Sequence, residues 1–176
     1  MLIDSHIHLK NEKDVFNFLK ILEKKVIDRA IVMDMPKFLE IKMFSRRELI
    51  KIVNNTHALF MCITIRIEGN RRFEHDLKEM KSMIKENEKI VGIKLYPGYD
   101  HFNPSCKKAE RIYEFAEGNS IPIVFHTGQT WGKIQRGDMR YSHPLNFDRV
   151  ARKHKDMKIV LAHFGYPWIK TTAAIM

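Results

Sequence analysis

Apolar positions along the chain fall into two rhythms that take turns. Six short stretches are apolar throughout or alternate with a period of two: residues 1–9, 30–33, 58–65, 90–96, 121–125 and 159–162. Runs of this kind, closed by Asp, Pro, Gly or His, are expected of strands buried in a parallel sheet. Between them the spacing lengthens to a helical stripe: Val15, Phe18, Leu19 and Leu22; then Leu49, Ile52 and Val53; then Phe73, Leu77, Met80 and Ile84; then Ala109, Ile112, Tyr113 and Ala116. These stripes predict helices. Asn11 can cap the first, and Ser45-Arg46-Arg47-Glu48 reads as a capping box for the second. Gly118 is placed to end the helix over 105–117, and Pro144 stands in the first turn of another over 144–155.

Strand and helix alternate with no linker or low-complexity segment between them, so residues 1–176 are expected to form one α/β domain with right-handed crossovers. In such folds, whether closed (β/α) barrels or open doubly wound sheets, sites form at the carboxyl ends of the strands. No Gly-x-Gly-x-x-Gly or phosphate-loop motif follows any strand, which argues against nucleotide binding.

Charge and composition change this picture little. The formal net charge is +10, yet the lysines of helix faces (Lys20, Lys24, Lys25, Lys78, Lys81, Lys85) are interleaved with Glu23, Glu79, Glu86 and Glu88. That is the pattern of a solvated surface, and it speaks against a nucleic-acid groove. No apolar run is long enough to cross a membrane. The amino terminus opens on a strand containing Asp4, without the charged and apolar regions of a secretory signal. Cys62 and Cys106 lie far apart with no CxxC spacing, as expected of reduced thiols in a cytoplasmic protein.

The candidate chemistry is carried by histidines at strand ends. His6 and His8, at i and i+2, share a strand face with Asp4, and two neutral imidazoles side by side suit one divalent metal. His126 ends the run over 121–125, and His163 ends the run over 159–162. One such histidine is commonly structural; the same placement on three strands predicts a mononuclear site of His6, His8 and His126. Lys94, in Gly92-Ile93-Lys94-Leu95-Tyr96-Pro97, admits two readings. It is either a lysine snorkelling at a rim or a cation, or lowered-pKa base, aimed at an anionic substrate group.

Taken together, Asp4-Ser5-His6-Ile7-His8, Gly92 through Pro97, Pro122 through Gly128 and Ile159 through Trp168 resemble the amidohydrolase superfamily. The resemblance spans the whole chain in order, and is strongest with the amidohydrolase-related branch that includes the aminocarboxymuconate-semialdehyde decarboxylase type. It implies a TIM (β/α)8-type barrel around one or two divalent metals, usually zinc. It also implies that His6 and His8 are the strand-one ligands, His126 the strand-five ligand, and His163 the catalytic histidine that polarises or protonates beside the metal. The family completes its metal shell with an aspartate after strand eight. Here no Asp or Glu follows His163 and only about six βα units are present, so the barrel is expected to be incomplete at its carboxyl side. A truncated chain, a remainder supplied by another chain or a homo-oligomer, and a degenerate inactive relative all fit that expectation.

The resemblance implies a metal-dependent hydrolase of a small amide, ester or lactone, with Lys94, Tyr96 and Arg140 as substrate contacts. The alternative in the same site is non-oxidative decarboxylation. A TatD-like nuclease also opens on His-x-His, but strand four carries no acid here. His57 and His75 are expected at the surface, while His101 and Trp131 are candidates for a pocket wall.

Overall fold

The computed structural model describes residues 1–24, 26–36, 43–130 and 137–176. Six strands form one parallel sheet in sequential order, β1 (Ile3–Ile7), β2 (Arg29–Met33), β3 (Leu59–Thr64), β4 (Ile90–Leu95), β5 (Ile123–Phe125) and β6 (Ile159–Leu161). The helices are α1 (Glu12–Glu23), α2 (Arg46–Asn54), α3 (Phe73–Glu86), α4 (Lys107–Gly118), α5 (Leu145–Lys153) and α6 (Ile169–Ile175). Neighbouring strands are always consecutive, so every connection is a βα crossover of the kind that builds a (β/α) barrel. The sheet is a curled half-barrel of that type.

Local chemistry explains the helix starts. The Asn11 side chain accepts the Asp14 N–H (3.1 Å). Both halves of the Ser45–Glu48 capping box are made, with the Ser45 N–H donating to Glu48 Oε2 at 2.6 Å. Helix α4 includes Gly118 and is capped by Asn119, and the left-handed residue that follows is Ser120 (φ 55°). The expected glycine cap is thus displaced by two residues. Helix α6 is not visible in the apolar spacing: Lys170, Thr171 and Thr172 dilute its stripe, and it is defined by packing against the turn after β6.

Two apolar layers follow from the strand alternation. Val32, Met61, Ile63, Ile93, Leu95, Ile123 and Phe125 face the helices in the main core. On the other face, inside the curl, Met33, Cys62, Val124 and Ala162 make a smaller cluster. Gly92 on β4 makes room there, since a Cβ would come 2.8 Å from Cys62 Sγ. Lys94 pairs in register with Thr64 and Val124, on that same inner face.

Strand β1 is shorter than its apolar pattern suggests, and it is irregular. Its register with β2 runs Asp4↔Ala30 and then Ile7↔Val32, one extra residue on the β1 side. Such a bulge breaks strict alternation and re-aims side chains, and here it falls at Ser5 and His6.

Candidate active site

Four imidazoles meet at the carboxyl ends of the strands. The rings of His6 and His8 lie 5.1 Å apart, those of His6 and His163 5.0 Å, and those of His126 and His163 4.9 Å. Asp4, expected on the same face, stays outside; its carboxylate is exposed and accepts the His6 N–H (3.2 Å). His126 is buried and its backbone N–H donates to the Leu95 carbonyl (2.8 Å), which ties β5 to β4 where Lys94 sits.

The turn that carries His163 is held by its neighbours. His163, Phe164 and Gly165 adopt left-handed conformations (φ 65°, 50° and 61°). Two non-glycine residues in that region are strained and persist only when the surroundings impose them. Those surroundings are the β5 loop: Thr127 Oγ1 donates to the Ala162 carbonyl, and the Gln129 N–H donates to the Tyr166 carbonyl (2.6 Å). Gly128 packs so closely that a Cβ there would come within 2.6 Å of the Gly165 carbonyl carbon.

Electrostatically the cluster is neutral and short of partners. Burial, then Lys94, then the neighbouring histidines lower His6 to about 3. Burial and Lys94 lower His8 to about 4 against a hydrogen bond with the Met33 backbone, and lower His126 to about 3 against one with Gln129. Burial followed by Lys94 also lowers His163, which is exposed at the rim. Lys94 itself is fully buried, and burial brings it down to about 7. Among the described residues its Nζ has no hydrogen-bond partner, nor do His6 Nε2 and His8 Nδ1. Lys94 is therefore no snorkelling rim residue. Cys62 beneath it is pushed up to about 12 by burial and remains a thiol.

This donor set fits a divalent metal in its chemistry: neutral imidazoles, two with orphaned buried nitrogens, and a third whose tautomer is fixed. His126 Nε2 lies 3.1 Å from the Gln129 carbonyl, which can only accept, so the ring's lone pair is on Nδ1. The histidine nitrogens nevertheless stand farther apart than the donors around a single ion. Among the described residues, the set whose donor atoms all lie within 4.8 Å of one another is His75, Asp76 and Glu79 on the exposed side of α3. Closure of the histidines on one cation therefore requires movement of their side chains. Cavities of about 310 and 630 Å³ flank Arg46 and Pro36 and include none of the four histidines.

The remaining predicted residues are placed differently. The Tyr96 ring lies beside Lys94, 5.1 Å from Nζ, but its hydroxyl donates to the Asp34 carbonyl (2.8 Å) and braces β4 against β2. Arg140 is exposed and its guanidinium forks onto Asp138, with Nη2 donating to Oδ2 at 2.6 Å. His57 and His75 are exposed, and His101 stacks on Tyr141 (5.8 Å). Trp131 lies outside the described residues. Sequence reasoning missed Tyr99, whose ring lies 4.7 Å from that of His126. The Pro97-Gly98 break marked its loop but not the direction of its side chain.

A curled parallel sheet with histidines converging at its carboxyl ends defines a barrel-type enzyme fold. Residues 67–175 match the family model described as Amidohydrolase, and the chain belongs to the amidohydrolase family. No curated protein matches the sequence. Among solved structures, a probable 2-pyrone-4,6-dicarboxylic acid hydrolase from Acinetobacter baumannii superposes with a TM-score of 0.62 at 13% identity, over 99% of this chain and 66% of that one. A protein described as amidohydrolase II gives 0.59 at 12% identity, over 94% and 67%. A dihydroorotase from Campylobacter jejuni gives 0.51 at 18% identity, over 91% and 46%. The chain thus spans about two thirds of the length of the first two and less than half of the third. At these identities the likeness establishes the fold. Among the described residues, no helix is long and apolar enough to cross a membrane.

Proposed function

We propose that this chain forms the site of a metal-dependent hydrolase for a small amide, ester or lactone that carries a carboxylate. The observation behind this reading is a fully buried amine, Lys94, with no hydrogen-bond partner among the described residues, set among four imidazoles that burial keeps neutral. His6, His8 and His126 are the residues that would hold a divalent metal, zinc first, since zinc accepts three imidazoles and leaves a position open. When bound, such a metal supplies Lewis acidity to a carbonyl oxygen and makes water acidic near neutral pH.

The chain's own groups do the rest. An arriving carboxylate gives Lys94 the countercharge it lacks and orients the substrate on the inner face of the curl. His163, whose ring stands between those of His6 and His126, is a poor base once its pKa is lowered. Its neutral N–H is suited to donate a hydrogen bond to the oxyanion that develops as the carbonyl is attacked. The pyrone dicarboxylic acid named for the Acinetobacter relative belongs to this substrate class. The free thiols Cys62 and Cys106 fit a cytoplasmic setting.

The test is metal analysis of the purified chain, followed by turnover of 2-pyrone-4,6-dicarboxylate and of carboxylated linear esters and amides, with and without added zinc. Zinc-dependent ring opening or hydrolysis, with preference for carboxylated over neutral substrates, supports the reading. Release of carbon dioxide without uptake of water assigns the site to a decarboxylase. Absence of both metal uptake and turnover at saturating zinc overturns the proposal.

A further inference from the structure

The turn after β4 is fixed from three sides. The N–H groups of Tyr99 and Asp100 both donate to the Tyr96 carbonyl (3.1 and 2.8 Å). Asp100 is buried, and its carboxylate accepts the N–H groups of Ile67 and Glu68 (2.7 and 3.1 Å) from the loop after β3. Gly98, at φ 95°, lies against the third neighbour. A Cβ there would come 2.9 Å from Ser142 Oγ, and its carbonyl accepts the Asp138 N–H (2.8 Å). A turn held this firmly can impose a fixed orientation on the side chain it presents. That side chain is Tyr99, half-buried, with its ring tilted 52° against the imidazole of His126 at 4.7 Å.

His126 has a hydrogen bond in its ring plane, from Nε2 to the Gln129 carbonyl. That bond selects the Nε2–H tautomer only while the ring is held in line with the carbonyl, and by itself it does not stop the ring from rocking about its axis and breaking it. Contact with the Tyr99 ring removes that freedom. We propose that Tyr99 is a positioning residue for His126, fixing the plane of the imidazole and so the direction in which Nδ1 meets a cation. This inference rests on the assignment of His126 as a ligand.

The experiment compares the full chain with Tyr99→Phe and Tyr99→Ala. It reads zinc affinity by competition with a chromophoric chelator, and the His126 tautomer by side-chain ¹⁵N NMR of the metal-free protein. Tyr99→Phe keeps the ring and should match the parent in both. Tyr99→Ala should lose about 10- to 100-fold in zinc affinity, as removal of an outer-shell partner does, and its ¹⁵N shifts should move from the single Nε2–H tautomer toward the average of the two. A Tyr99→Ala protein that binds zinc within twofold of the parent and keeps the single tautomer overturns the proposal. Should the parent itself take up no zinc, the ligand assignment fails separately, and the tautomer of the metal-free variants still decides the role of Tyr99.

Discussion

His6 and His163 belong to the first strand and to the turn after the last, at the two edges of the sheet, yet their ring centroids are 5.0 Å apart. Only strong curling brings the carboxyl ends of β1 and β6 so near each other. The two rings have different prospects, because His6 is half-buried with Nε2 unpartnered whereas His163 is exposed on a strained turn. His6→Asn should therefore abolish tight zinc binding. His163→Asn should keep zinc within a few-fold and lower kcat by about 10²–10³, the usual consequence of losing one oxyanion donor. Parallel zinc titrations and kinetics check both, and equal loss of zinc in the two variants would contradict the division of roles.

Acid should destabilise the protein through the same cluster. His6, His8 and His126 have folded pKa values of about 3, 4 and 3, below the unfolded value of 6.5. Between those limits the unfolded chain binds protons that the folded chain refuses, so stability rises with pH and is lost as pH falls from 6.5. Each proton of difference is worth about 1.4 kcal/mol per pH unit. Asp100, raised to about 6 by burial, and Asp34, also raised by burial, act in the opposite sense, but three imidazoles outweigh two carboxyls. Urea midpoints measured at pH 7, 6 and 5 should fall steadily for the parent. In a variant with all three histidines changed to Gln the slope should flatten or reverse.

Much of this was legible in the chain. All six strands follow from apolar runs, because buried parallel strands leave them unbroken; four of the six helices follow from apolar spacing and a fifth from Pro144 at its start. The four histidines were legible because each stands at the end of such a run. What spacing cannot encode is direction after a break in regularity. The bulge at Ser5 and His6 separates Asp4 from the histidines it was expected to join. Tyr96, a candidate substrate contact in the sequence, has its ring beside Lys94, but its hydroxyl reaches across to Asp34, 62 positions away in sequence. Arg140, a candidate substrate contact in the sequence, is paired with Asp138 two residues earlier, a local pairing indistinguishable in sequence from an ordinary polar loop.

Gly128 tests how closely the β5 and β6 loops must approach. Its φ of 84° disfavours any side chain, and a Cβ would come within 2.8 Å of the Tyr166 N–H nitrogen as well as meeting the Gly165 backbone. Backbone atoms cannot swing aside as a side chain can, so Gly128→Ala must push away the turn that carries His163. We expect a loss of stability of roughly 2–4 kcal/mol, read as a lowered melting temperature, together with a changed environment for His163 by NMR. Gly118→Ala is the control: nothing lies within 4 Å of that position and its backbone is helical, so it should be neutral or slightly stabilising.

Lys94 offers the sharpest separation of stability from function. Its Nζ is fully buried without a hydrogen-bond partner among the described residues, and its pKa is about 7 against 10.5 in the unfolded chain. A lowered lysine pKa means that the unfolded chain holds the extra proton between pH 7 and 10.5, so the folded protein gains stability as pH rises across that window and loses it as pH falls. Burying this amine at pH 7 costs on the order of 4 kcal/mol. Lys94→Met removes the amine while keeping the length and volume of the side chain. The variant should be more stable than the parent at pH 7, and the parent's gain between pH 7 and 10 should be missing from it. The imidazoles should respond as well, because Lys94 is the second cause of the low values of His6, His8 and His126; their NMR titrations should move upward. Discrimination between carboxylated and neutral substrates should collapse in the same protein. A Lys94→Met chain less stable than the parent at pH 7 would mean that the amine already has a stabilising partner within the protein, and the case for an anion site at Lys94 would fall with it.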